Sequence, residues 1–233
     1  MAHPDRLRPT PAGVHPPYLY ADYRSTPARA PAQPLLPLEQ GDDELRVAQF
    51  TSSMLRAHDA DLTRQAHGTP LGERIVVSGR IIDEDGRAVR SSLVEVWQCN
   101  AAGRYRHRND QHDAPLDPNF LGFGKMLTDE NGVYRFVSIK PAPYPWGNHA
   151  NAWRPAHIHF SLFGNAYAQR LITQMYFPGD PLFPHDPIYN SVPHGARERL
   201  VSALDLGLGV EGVALGYRFD IVLRGRGATP FGL

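Results

Sequence analysis

The residues from Tyr144 to His159 (Tyr-Pro-Trp-Gly-Asn-His-Ala-Asn-Ala-Trp-Arg-Pro-Ala-His-Ile-His) hold the densest chemistry in the chain. His157 and His159 are one residue apart. On a strand, positions i and i+2 share a face with Cα atoms about 7 Å apart, so two such imidazoles can converge on one ion. Pro155 just before them suits the start of a strand. Tyr144 lies on the loop that leads in. A free phenol titrates near pH 10 or so, so a tyrosine binds a metal at neutral pH only if the ion is strongly Lewis-acidic. Phenolate oxygen beside imidazole nitrogen suits a hard, oxidised metal, ferric iron first, and points to redox or oxygen chemistry. A zinc hydrolase is disfavoured, because no suitable carboxylate or cysteine neighbours His157.

Strands and loops must position these groups. Short apolar runs punctuated by turn residues predict strands at Arg74–Ile82, Ser92–Cys99, Gly124–Thr128, Val133–Ile139, Pro155–Phe163, Leu171–Phe177 and Val213–Leu223. Asn131-Gly132 signals a hairpin between the third and fourth. Many short strands without alternating helices read as an all-β, two-sheet β-sandwich with long active-site loops at Ala101–Leu121 and Lys140–Trp153. The 21 Gly and 22 Pro support such loops. Residues 1–41, rich in Pro, Ala and Arg, read as an extended N-terminal arm, disordered or ordered against a neighbour. Short helices are expected at Asp42–His58 and His194–Leu204. The division is then 1–72, an arm and short helix for partner and active-site contacts, and 73–233, the catalytic sandwich.

The 233 residues carry 24 basic and 24 acidic side chains, which argues against nucleic acid or an anionic membrane as the main partner. No apolar run approaches the length of a membrane span, and the N-terminus lacks an apolar signal region. One cysteine, Cys99, leaves no disulfide framework and reads as a buried apolar residue. A cytoplasmic location fits these features.

Val77-Ser-Gly-Arg-Ile81, Gly86, Val89, Val94-Glu-Val96 and Gly103-Arg-Tyr105 together resemble the signature of the intradiol ring-cleavage dioxygenases. The segments Ala114–Phe120, Pro141–Trp146, Trp153–His159, Leu171–Gln174, Tyr176–Pro181 and Tyr217–Gly225 resemble one branch, the iron-bearing β chains of protocatechuate 3,4-dioxygenases. The resemblance is close from Gly72 to Gly225 and looser over Asp22–Arg29 in the arm.

That resemblance implies one Fe(III) per chain, held by Tyr105, Tyr144, His157 and His159. It implies ferric activation of a chelated catecholate, so that O2 cleaves protocatechuate to 3-carboxy-cis,cis-muconate. Arg154 would face the ring, Gln174 would stand beside Arg154 and the oxygen site, and Trp146, Tyr23 and Ile188 would contact substrate. Tyr144 would also serve as a base. The expected partner is a homologous α subunit that shares the active site within a higher αβ oligomer. The loop Pro184–Tyr189 departs from the branch pattern, and His185 and Asp186 are read as ordinary exposed residues. His107 and His112 are read as neighbours of Tyr105 or solvent-facing. Alternatives are a single-chain intradiol enzyme for another catechol and a metal-free structural sandwich subunit.

Overall fold

The computed structural model describes residues 11–35, 50–164 and 170–232. Two sheets form the body. In the first, β1 (Arg74–Ile82) is central: it pairs antiparallel with β4 (Val133–Ile139) and parallel with β10 (Leu215–Arg218) and β11 (Ile221–Val222), and β9 (Ala203–Leu204) extends β10. The second has the order β3 (Phe123–Leu127), β2 (Leu93–Trp97), β7 (His157–Phe163), β8 (Arg170–Tyr176), all antiparallel. A small two-stranded unit, β5 (Tyr144–Pro145) with β6 (Trp153–Arg154), stands apart. The helix α1 (Pro187–Ser191) is one turn long.

One apolar core joins the sheets. Ile75, Val77, Ile81, Tyr134 and Phe136 come from the first, and Val94, Val96, Ile158, Phe160, Leu162 and Met175 from the second. β7 shows how the pattern works. Its alternate residues Ile158, Phe160 and Leu162 are fully buried in this core, so His157 and His159 must point away from it. The face opposite the core is therefore where chemistry can sit.

The structure corrects several local expectations. The Asn131-Gly132 turn forms, with Asp129 Oδ1 accepting from the N–H groups of Asn131 and Val133 and Gly132 at φ 73°. The strands it joins nevertheless register in different sheets, so it is a crossover between layers and not a hairpin. The stretch expected as one strand over Val213–Leu223 breaks after Arg218, where the Asp220 carboxylate takes the Arg80 N–H at 2.8 Å. His194–Leu200 is a 3₁₀ helix, and Ala203–Leu204 is strand. Most of the helix expected over Asp42–His58 lies outside the described residues; the described part holds only a 3₁₀ turn at Ser52–Met54.

The described part of the arm, 11–35, lies on the body of its own chain. Val14 and Thr26 are buried, and His15 and Tyr18 pack on Phe231. Among the described residues, no helix is long and apolar enough to cross a membrane.

Gly79 on β1 allows the break in β10–β11 to pass close by. A Cβ there would lie 1.8 Å from the Phe219 carbonyl oxygen. Gly79→Ala is expected to destabilise the chain by about 1–3 kcal/mol through overpacking, read as a lower urea midpoint. An unchanged midpoint would mean that the backbone at Phe219 yields freely.

Candidate metal centre

The second sheet sets a platform on its outer face. In register across three strands lie Trp97 of β2, His159 of β7 and Gln174 of β8, with His157 beside Tyr176 one step along. Trp97 stacks flat on the His159 ring, 4.9 Å between centroids and 1° between planes. Two loops bring phenols over this platform. Tyr144 arrives on β5, directly opposite Arg154 on β6. Tyr105 arrives on the loop after β2, where Gly103 (φ 78°) lies against the Tyr144 segment. A Cβ on Gly103 would sit 2.6 Å from the Pro143 carbonyl oxygen, so only glycine lets the two tyrosine-bearing loops approach this closely.

Four donor atoms converge. His157 Nε2 is 3.2 Å from His159 Nε2, which is 3.2 Å from Tyr105 Oη, and Tyr144 Oη is 3.4 Å from His157 Nε2. The phenol rings stand perpendicular, 5.3 Å apart. His157 Nδ1 lies 2.7 Å from the Pro155 carbonyl, which can only accept, so Nδ1 carries the proton and Nε2 is left as an acceptor with its lone pair. Burial, then the nearby Arg154 charge, pushes His159 down to about 3, and the same causes push His157 well below the usual imidazole range. Both rings are thus neutral at pH 7, as a metal requires. Burial raises both tyrosines, Tyr105 well above the usual phenol value. Such a knot of lone pairs and phenols, with His157 buried and the other three half-buried at the cavity, fits one hard cation, which would satisfy all four donors at once. Among the described residues, no group of three or more His, Cys, Asp or Glu side chains could hold a metal, so a site here depends on phenol oxygen.

Arg154 flanks the knot and is itself buried. Its Nη1 lies 3.0 Å from His157 Nε2, and its Nη2 donates to Gln174 Oε1 (2.6 Å), Tyr176 Oη (2.8 Å) and Asp186 Oδ2 (3.0 Å). Burial opposes the charge, but Asp186 outweighs it and keeps the guanidinium protonated. Asp186 is therefore not an exposed loop residue, as its sequence context suggests, but 0 % exposed. It caps α1 through the Ile188 N–H at 3.0 Å and accepts from Tyr176 Oη at 3.2 Å. An Asp followed by Pro at the first helical position is an N-terminal capping signal that could have identified it. His185 is exposed, as expected. Trp97 and Tyr176 carried no such signal; only strand register brings them to the histidines.

A cavity of about 750 Å³ opens over the donors, lined by Trp97, Tyr105, Tyr144, Trp146 and His159 and by the loop that includes His107 and His112. Trp146 is one wall, with the Arg154 guanidinium 5.7 Å from its ring. Tyr23 does not line this cavity; it packs edge-on behind Trp146 at 5.3 Å. Ile188 is buried on α1 and is not part of the lining either. Two buried N–H donors at this wall, Arg154 Nε and Trp146 Nε1, have no acceptor among the described residues.

Residues 48–225 match the family model described as dioxygenase, and residues 7–41 match that of the protocatechuate 3,4-dioxygenase beta subunit N-terminal region. The protocatechuate 3,4-dioxygenase beta chain of Burkholderia cepacia is 57% identical over 232 residues, 99% of each chain. Among solved structures, 3-chlorocatechol 1,2-dioxygenase from Rhodococcus opacus 1CP superposes with a TM-score of 0.55 at 26% identity, covering 76% of this chain and 66% of that one. Catechol 1,2-dioxygenase from Acinetobacter sp. ADP1 gives 0.51 at 27% identity, covering 73% and 59%. With a family model spanning most of the sequence and a relative this similar from end to end, the chain belongs to the intradiol ring-cleaving dioxygenases, in the line of the protocatechuate 3,4-dioxygenase beta chains.

Proposed function

We propose that this chain is the iron-bearing β subunit of an enzyme that opens the ring of protocatechuate between its two hydroxyls with O2, giving 3-carboxy-cis,cis-muconate. The convergence of Tyr105 Oη, Tyr144 Oη, His157 Nε2 and His159 Nε2 carries this reading, since two phenols with two neutral imidazoles form a donor set for a hard, oxidised ion. These four residues would hold one Fe(III) per chain. When bound, the ion supplies the Lewis acidity that favours the doubly deprotonated catecholate and its release of electron density toward dioxygen.

The chain's own residues do the rest. Tyr144, at the cavity wall, would take a proton from an incoming substrate hydroxyl once it is itself ionised as one of the four residues that hold the ion. Arg154, held charged by Asp186, sets a fixed positive charge beside the ring and favours electron density moving onto it. Gln174 orients that guanidinium from the neighbouring strand. Trp146 walls the ring site with Tyr23 behind it, and Ile188 acts from α1, where its N–H steadies Asp186.

A homologous α subunit is the expected partner, sharing this site within a higher αβ oligomer. Leu121 and Phe123 in the cavity lining, with Trp153 against His112 beside them, expose apolar surface that a second chain would cover. Residues 1–72 would supply partner and active-site contacts to the catalytic sandwich of 73–233, in a cytoplasmic enzyme.

Iron-loaded protein is expected to be red-brown from tyrosinate-to-iron charge transfer, and a strong chelator is expected to bleach it; a colourless iron-loaded chain would sink the ferric reading. With its companion chain, the enzyme should consume O2 faster on protocatechuate than on catechol. Equal rates on both without the companion would reject the heteromeric assignment. Asp186→Asn removes the charge partner of Arg154, a contact of about 1.5–3 kcal/mol, so kcat should fall by about ten- to a hundredfold while the colour persists. A kcat within twofold of the parent would show that Arg154 does not depend on this carboxylate.

A further inference from the structure

The arm and the wall of the cavity meet at one side chain. Asn148 lies on the loop between β5 and β6, yet it is 4 % exposed. Its Oδ1 accepts from the Arg24 N–H at 2.9 Å, and its Nδ2 donates to the Asp22 carbonyl at 2.7 Å. These two backbone groups lie on either side of Tyr23. One amide therefore fixes both peptide units that set the direction of the Tyr23 side chain, as a neighbouring strand would. The arm turn around it is closed upon itself. Tyr23 N–H donates to the Tyr20 carbonyl, and the Thr26 hydroxyl bonds back to Tyr20 and Tyr23. That turn is consequently a preformed unit, and the Asn148 amide is its polar tie to the β5–β6 loop.

Tyr23 carries the effect inward. Its ring meets Trp146 edge-on at 5.3 Å and is covered on another side by the Arg29 guanidinium at 4.5 Å. Trp146 lines the cavity and lies beside Arg154. We propose that Asn148 is a positioning residue for substrate: by fastening the arm on both sides of Tyr23, it holds Tyr23 against Trp146 and so sets the outer wall of the site. This rests on the functional reading given above. The role belongs to binding and not to chemistry, because Asn148 does not line the cavity or touch the four converging donors.

Asn148→Leu is close in size and removes both bonds. The released groups belong to Asp22 and Arg24, which are exposed, so water can replace the lost partners and the sandwich should stay folded. In the full-length, iron-loaded enzyme with its companion chain, amide exchange of the peptide spanning 20–29 should become at least about tenfold faster. KM for protocatechuate should rise by about five- to twentyfold with kcat within about twofold, the pattern of lost uniform binding. Asn148→Asp keeps the acceptor for Arg24 and loses the donor to Asp22, and should fall between the two. In a Tyr23→Ala background, Asn148→Leu should raise KM no further, because its effect passes through that ring. Unchanged exchange over 20–29, or the same KM rise without Tyr23, would overturn the proposal. The exchange measurement needs no substrate: a wild-type assembly inactive on protocatechuate would sink the functional reading and leave exchange to decide the fastening.

Discussion

Arg154 is a full positive charge almost out of contact with water, and it can remain there only because Gln174, Tyr176 and Asp186 all present oxygen to one of its nitrogens. Asp186 is equally buried and equally dependent, with Arg154, Tyr176 and the Ile188 N–H sharing its two oxygens. Neither charge could be buried without the other. The pair comes from β6 and the start of α1, and Gln174 and Tyr176 of β8 complete its hydrogen bonds, so the network joins three elements. Its reach extends to the donors, because Arg154 is the strand partner of Tyr144 and its other nitrogen faces His157. The positions of one phenol and one imidazole thus follow from how a guanidinium is neutralised.

The site and the core divide one strand between them. β7 gives Ile158, Phe160 and Leu162 to the interior and His157 and His159 to the opposite face. Stability and chemistry therefore make no competing demands on the same positions. The parity of the strand keeps polar rings out of the core, and sheet pairing fixes their neighbours, Trp97 on one side and Gln174 on the other. The sheet is rigid because it is packed. The phenols come from loops, and glycine at position 103 permits the close approach they need.

Much of this was legible from local pattern. Short apolar runs between turn residues located most of the strands that build both sheets, and the shared face of His157 and His159 required only the period of two along a strand. The misreadings share a cause. The Asn131-Gly132 turn has the right chemistry for a hairpin, but a turn does not specify whether the strands beyond it pair with each other or with more distant partners. The break after Arg218 comes from a side chain, Asp220, taking the place of a backbone acceptor on a strand far away in sequence. Asp186 looked solvent-facing because its neighbours are Pro and His, and nothing local reveals a guanidinium waiting on another strand. Tyr23, expected at the substrate, packs on Trp146 outside the cavity lining, and Ile188 is buried on α1, also outside it.

By itself, the sequence determined the donor types, the spacing that puts two imidazoles on one face, the β-rich architecture and the absence of any disulfide framework. Those properties follow from side-chain chemistry and backbone periodicity, which act over a few residues. Only the tertiary structure decided that Tyr105 and Tyr144 reach the same point, that Asp186 neutralises Arg154, that Trp97 stacks on His159, and that Asn148 ties the arm beside Tyr23. These contacts join residues up to 126 positions apart. They depend on strand register and on the pairing of buried polar groups, which are settled only when the whole chain has packed.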